Sequence, residues 1–159
     1  MINSEDIQIT QAAAEDAGEI LELQKISYLS EAEIVDDFTI QPLHQTIDEV
    51  LSEFSYQLFL KAKIKDKIIG SVRAFLKNGT CYIGKLIVHP DQQNKGIGSK
   101  LLQEAEKRFA ASQRYELFTG EKSERNRYLY KKMGYRVFKS EKISEKVTLL
   151  FMEKYPGKT

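Results

Sequence analysis

One cysteine, Cys81, is all the sulfur chemistry this 159-residue chain offers for cross-linking. A lone thiol excludes an internal disulfide and fits a reducing compartment. No apolar run approaches the roughly 18 residues of a membrane span. The first six residues have neither the basic region nor the apolar core of a signal peptide, and together these absences point to a cytoplasmic protein with no membrane partner. No repeat, low-complexity tract or Pro/Gly-rich linker divides the sequence, so residues 1–159 read as one domain, able to bury roughly two thirds of its unfolded surface. His44 and His89 have no Cys or acidic partners at ligand spacing, which predicts no metal site.

Basic residues are scarce at the beginning. Residues 1–60 hold one, Lys25, against 13 acidic residues, whereas residues 61–159 hold 23 basic against 10 acidic, within a net charge of +1. Two readings stay open: amphipathic helices that show acidic faces to water, or an N-terminal part that receives a cation and a C-terminal part that receives a polyanion. The lysines at 61, 63, 65 and 67 alternate with apolar residues and read as the wet face of a strand, not as a nucleic-acid stripe.

Apolar periodicity predicts the elements. Ile7–Thr10 alternates as a strand, and Ile20, Leu21, Leu23 and Tyr28 mark an amphipathic helix over 14–29. Pro42 precedes a second helix over about 43–54. Three strands follow in series, 57–64, 68–76 and 81–88, joined by the turns Lys65-Asp66-Lys67 and Asn78-Gly79, the latter a strong hairpin signal. A helix over about 96–111, a buried strand at 115–119, a helix over 123–133 ending at Gly134, and strands at 135–139 and 147–153 complete the order β-α-α-β-β-β-α-β-α-β-β. The class is mixed α/β (α+β): a central mixed sheet of about seven strands flanked by four helices.

The most informative segment is Val88-His89-Pro90-Asp91-Gln92-Gln93-Asn94-Lys95-Gly96-Ile97-Gly98-Ser99. A strand ends at a proline and passes through a polar turn into a helix whose first turn carries two glycines. Such a junction suits anion binding, because glycines admit a ligand to the backbone and the free N–H groups of a helix start converge on it. It is no P-loop, since G-x-x-x-x-G-K-[ST] does not occur, and it lacks the third glycine of a dinucleotide fingerprint.

Gln93-Asn94-Lys95-Gly96-Ile97-Gly98, as Q-x-x-G-x-G between a strand and a helix, resembles the Gcn5-related N-acetyltransferase (GNAT) superfamily. Ser123 to Tyr135 is similar to that family's N-x-x-A-x-x-L-Y-x-x-x-G-F helix, with Ser123 where asparagine is common and Asn126 where alanine is common. The resemblance implies a mostly antiparallel sheet splayed between its fourth and fifth strands, with acetyl-coenzyme A as cosubstrate. Backbone N–H groups of Gln93, Asn94, Lys95, Gly96, Ile97, Gly98 and Ser99 would wrap its pyrophosphate. Leu86, Ile87 and Val88 would pair with its pantetheine arm, and Asn126 would face that arm.

By the same resemblance Tyr130 is the general acid that protonates the departing thiolate. The general base stays open among Glu121, an N-terminal acidic residue and an ordered water, and Glu31, Asp36 and Asp37 are candidate binders of a cationic substrate; the strand 81–88 offers no carboxylate, only Tyr82 and Lys85. Cys81, far from the motif end of its strand, reads as core. The implied activity is transfer of an acetyl group to a primary amine by direct attack, on a cationic small molecule or peptide. A catalytically idle acyl-coenzyme A sensor is the alternative, and a nucleic-acid-binding domain a more distant one with no recognised module to support it. Homodimers are frequent in the family.

Overall fold

The computed structural model describes residues 6–157, so all but one of the first six residues lie outside the described residues. Seven strands form one sheet in the order β1-β2-β3-β4-β5-β7-β6. They are β1 (Ile7–Gln11), β2 (Leu58–Ile64), β3 (Lys67–Lys77), β4 (Thr80–Val88), β5 (Arg114–Gly120), β6 (Arg136–Lys142) and β7 (Thr148–Lys154). All neighbouring pairs are antiparallel except β4–β5, which is parallel. This is the mixed, mostly antiparallel sheet expected from the sequence.

Local chemistry sets the hairpins. Lys77 pairs with Thr80, leaving Asn78 and Gly79 as a two-residue turn with φ of 52° and 82°. Both values lie in the left-handed region that Asn and Gly tolerate, and this turn matches the twist of the flanking strands. Lys65 opens the other two-residue turn at φ 54°.

Successive strand residues divide between two cores, as side chains alternating across a pleat must. Leu60 and Ile69 join one cluster with Leu101, Leu102 and Ala105 of α4 (Ile97–Arg108). Phe59 and Ile68 join the other with Ile20, Leu23 and Val50. That second face is covered by α1 (Ala17–Val35) and α3 (Ile47–Glu53). The face of α1 built from Ala17, Ile20, Leu21, Gln24 and Ser27 is buried at helical spacing.

Two helix boundaries depart from the sequence reading. The first helix runs to Val35, six residues beyond the periodic stretch, and stops where Asp36 turns left-handed at φ 53°. The predicted helix over 43–54 is two pieces, α2 (Gln41–His44) and α3, because Gln45 and Thr46 are extended. Gln45 is drawn inward to a buried network, accepting from Gln24 Nε2 at 2.9 Å and from Arg73 Nη1 at 3.2 Å. α5 (Glu124–Lys132) ends, as expected, at a left-handed Gly134 with φ 99°.

Candidate functional site at the split between β4 and β5

The parallel pair β4–β5 holds only over Thr80–Arg114, Cys81–Tyr115 and Tyr82–Glu116. Beyond Tyr82 the strands part, and the β4 edge that faced β5 is left without a ladder. The cause lies inside β4. Register against β3 shifts between Ser71 and Arg73, and Lys85 sits at φ 46°. This is a β-bulge, which strengthens local twist and ends pairing. Gly84 beside it was the available signal, since an isolated glycine within a strand pattern marks a bulge; the sequence reading ran a straight strand through it.

A cleft of about 330 Å³ opens in this split. Leu86, Ile87 and Val88 of β4 line one wall and Asn126 of α5 another. At its far end lie Gln93, Asn94, Gly96, Ile97, Gly98 and Ser99. Eleven cofactor-contact residues were expected from the sequence, and the structure brings ten of them into this one cleft. Lys95, the exception, is exposed and donates to Gln92 Oε1 at 3.2 Å. Its side chain lies along the loop and is not itself part of the cleft lining.

The start of α4 is unfinished by its own chain. Gly96 is the N-cap, left-handed at φ 80°, with no side-chain cap and no acidic residue in the first turn. A Cβ placed on Gly96 would meet nothing within 4 Å, so its missing side chain leaves open space in front of the helix. Gly98 serves differently: a Cβ there would approach Leu129 Cδ2 to 3.3 Å, so its smallness lets α5 close against α4. Asn94 is also left-handed, at φ 64°. Alternating left-handed residues turn successive N–H groups into a concave donor surface suited to an anion.

Three further side chains were not foreseen here. Arg125 lines the cleft and donates to Gln93 Oε1, while Gln93 Nε2 donates to the Val88 carbonyl at 3.3 Å. Gln93 therefore ties the loop to β4 and to a guanidinium on α5. Lys132 and Tyr128 also line the cleft. No motif in the sequence singles out Arg125 or Lys132; the packing of α5 beside α4 brings both to the cleft.

Ser27, Tyr28 and Glu31 of α1 line a further wall of the cleft. Ser27 Oγ donates to the Val88 carbonyl at 3.4 Å, and Ser123 Oγ donates to Glu31 Oε1 at 2.9 Å. Tyr130 is buried at 5% exposure in the core cluster and is not itself among the residues that line the cleft. Burial, then the neighbouring Tyr28 and the Glu31 carboxylate, push its phenol above the ordinary value of 10. Tyr28 is pushed up to about 12, chiefly by burial. Both phenols keep their protons through neutral pH. Asn126 Nδ2 reaches Thr119 Oγ1 at 3.4 Å, so it stands over the end of β5 where the strands have parted.

The remaining candidates are elsewhere. Glu121 is exposed and lends its carbonyl to Arg127 Nη1 at 3.0 Å. Asp36 is paired with Lys146 at 3.7 Å, and Asp37 accepts from Thr39 N and Oγ1 at 2.9 and 2.6 Å. Cys81 is fully buried, its thiol pushed up to about 12 by burial, which suits the core role read from the sequence. His89 is more than a loop residue: its Nδ1 accepts from Asp91 N at 3.1 Å and caps the 3-10 turn Pro90–Gln92. Among the described residues no cluster of His, Cys, Asp or Glu could hold a metal, and no helix is long and apolar enough to cross a membrane.

This combination defines a class: a mixed sheet split between parallel strands, with an open helix start at one end of the split. The family model described as "Acetyltransferase (GNAT) domain" matches residues 23–156, and the chain belongs to that family. It is 28% identical over 140 residues to the "UPF0157 protein YqkA" of Bacillus subtilis (strain 168), covering 88% of this chain and 40% of that protein. The chain thus spans well under half of that curated relative. Among solved structures it is similar to the PaiA N-acetyltransferase of Thermoplasma acidophilum in complex with coenzyme A, with TM-score 0.78 and 21% identity over 94% of this chain and 98% of that one. The ribosomal-protein-S18-alanine N-acetyltransferase of Escherichia coli matches with TM-score 0.76 and 13% identity, over 96% of each chain. At these identities the structural likeness establishes the fold.

Proposed function

We propose that the chain is an acetyl-coenzyme A-dependent N-acetyltransferase that passes the acetyl group directly to an amine. The observation that carries this reading is the uncapped start of α4 opening into the same cleft as the unpaired edge of β4. A polyanionic nucleotide and an extended amide-bearing arm are complementary to those two features in turn.

The residues present fit that group. The N–H groups from Gln93 to Ser99 hold the diphosphate, with open space before Gly96 to admit it. Arg125, bonded to Gln93, adds positive charge at the same loop, and Lys132 adds another along the cleft. The unladdered backbone edge from Leu86 to Val88, apart from the Val88 carbonyl already bonded by Ser27 and Gln93, takes the arm as a neighbouring strand would, and Asn126 faces it from the other wall. Acetyl-coenzyme A supplies an acyl carbon on sulfur that is open to attack by an amine. The β4 N–H groups near the bulge stand ready to donate to the acyl oxygen as it gains negative charge. Tyr130, kept protonated by burial, gives its proton to the leaving sulfur. Fixing both reactants in one cleft removes the entropy of their encounter.

Titration calorimetry with acetyl-coenzyme A, followed by thiol release across a panel of alkylamines, amino acids and peptide N-termini, tests the reading. Tight binding with amine-dependent release supports it. Binding with no turnover on any amine favours the idle sensor, and no binding at all removes the proposal.

A further inference from the structure

The acidic bias of the first 60 residues has a structural destination. Asp16 pairs with Lys61 at 2.8 Å, and Glu19 Oε2 accepts the Ile68 N–H at 2.8 Å. Glu49 closes the cap of α3, and Glu53 pairs with the buried Arg73 at 3.1 Å. Asp36 is bound by Lys146, and Asp37 by Thr39. Glu31 is the one carboxylate among the described residues that lines the cleft.

Its partner is unusual for its position. Ser123 is the N-cap of α5, where a serine ordinarily accepts a bond from the helix's own first N–H groups. Here it makes no such bond. Buried to 2% exposure, it donates its hydroxyl to Glu31 Oε1, 92 residues away. A side chain that gives up a cap usually worth about 1 kcal/mol is placed for something else. The bond fixes one oxygen of Glu31, and among the described residues Oε2 has no hydrogen-bond partner. Glu31 itself lines the cleft, together with Tyr28 and the parted end of β4.

We infer that Glu31, oriented by Ser123, receives the ammonium group of the acceptor and takes its proton. This rests on the proposed transferase reading and adds the missing acceptor half of the site. Glu31 takes one proton from the ammonium. The freed lone pair forms the C–N bond as the C–S bond breaks onto sulfur, and Tyr130 protonates that sulfur. The second nitrogen proton returns through solvent to the Tyr130 oxygen, and the Glu31 proton leaves to bulk water. One cleft carboxylate matches one ammonium, so the acceptor class is a monoamine on an uncharged body in preference to a polyamine.

The test uses ethylamine and 2,2,2-trifluoroethylamine, similar in size, of which the second is already neutral at pH 7.5. Glu31→Gln is expected to bind acetyl-coenzyme A like the parent, to lose about 100-fold in kcat/KM with ethylamine, and to lose less than about 5-fold with the neutral amine. Ser123→Ala, a change at a positioning residue, should give a smaller loss with the same amine dependence, and Ser123→Thr should restore most of it. Equal losses with both amines would mean that Glu31 only shapes the cleft, and no loss would remove it from the site; either overturns the inference while leaving the transferase reading intact. A parent that binds acetyl-coenzyme A but acetylates neither amine also overturns it. A parent that fails to bind acetyl-coenzyme A overturns both readings.

Discussion

Helices α3 and α4 begin on opposite faces of the sheet, and their starts are finished in opposite ways. At α3, Thr46 Oγ1 accepts from Glu49 N at 3.2 Å while Glu49 Oε1 accepts from Thr46 N at 2.9 Å, with Asp48 and Glu49 in the first turn. Its orphan donors and its dipole are satisfied internally. At α4 neither a cap nor an acid is present, and the N-cap is a glycine facing open space. A helix start that serves the fold is closed by its own side chains. One that serves a ligand is left for the ligand to close.

The largest break in that contrast is Gly96→Val. The left-handed φ of 80° costs a β-branched residue about 1–2 kcal/mol, and the new side chain fills the space in front of the donors. Affinity for acetyl-coenzyme A should fall on the order of 100-fold, or about 2.7 kcal/mol, by calorimetry, well beyond what the folding loss explains. An unchanged Kd would mean that the open helix start binds nothing.

Binding and chemistry should then separate. Tyr130→Phe is expected to lower kcat about 100-fold with acetyl-coenzyme A affinity kept. Because burial and Glu31 raise the Tyr130 pKa, the phenol remains an acid above the ordinary tyrosine value near 10. The parent rate should therefore hold its alkaline plateau past that pH. A fall in kcat centred near pH 10, absent in Tyr130→Phe, would contradict the burial argument.

At the closed start, Thr46→Ala should cost about 1 kcal/mol of stability in urea melts and leave acetyl-coenzyme A binding untouched. The smallest effect belongs to Lys95→Ala. Its amide belongs to the cradle but its side chain lies along the loop, so a change in Kd below about 3-fold, or about 0.6 kcal/mol, is expected. A larger loss would show that charge outweighs backbone geometry at this loop.

Much of the fold was legible because its elements repeat at short range. Asn78-Gly79 and Gly134 need left-handed backbone, and the apolar stripe of α4 recurs at helical spacing. The cradle was legible for the same reason, since its donors are consecutive residues. Helix ends were less so. α1 continues past Tyr28 because Ala32 still packs inward, although Leu29 and Ile34 do not. The break at Gln45 follows from its bond to Gln24, 21 residues earlier. No window of sequence contains that pairing.

What the sequence by itself determined is therefore the order of elements, the turn chemistry and the loop of backbone donors, all set by forces acting within a few residues. Only the tertiary structure decided that β4 bulges at Lys85, that Arg125 and Lys132 line the cleft, and that of the many N-terminal acids Glu31 alone reaches it. Those outcomes depend on which distant partner each charge meets when the sheet closes. Coulomb and hydrogen-bond energies are set by distances in space, which composition cannot supply.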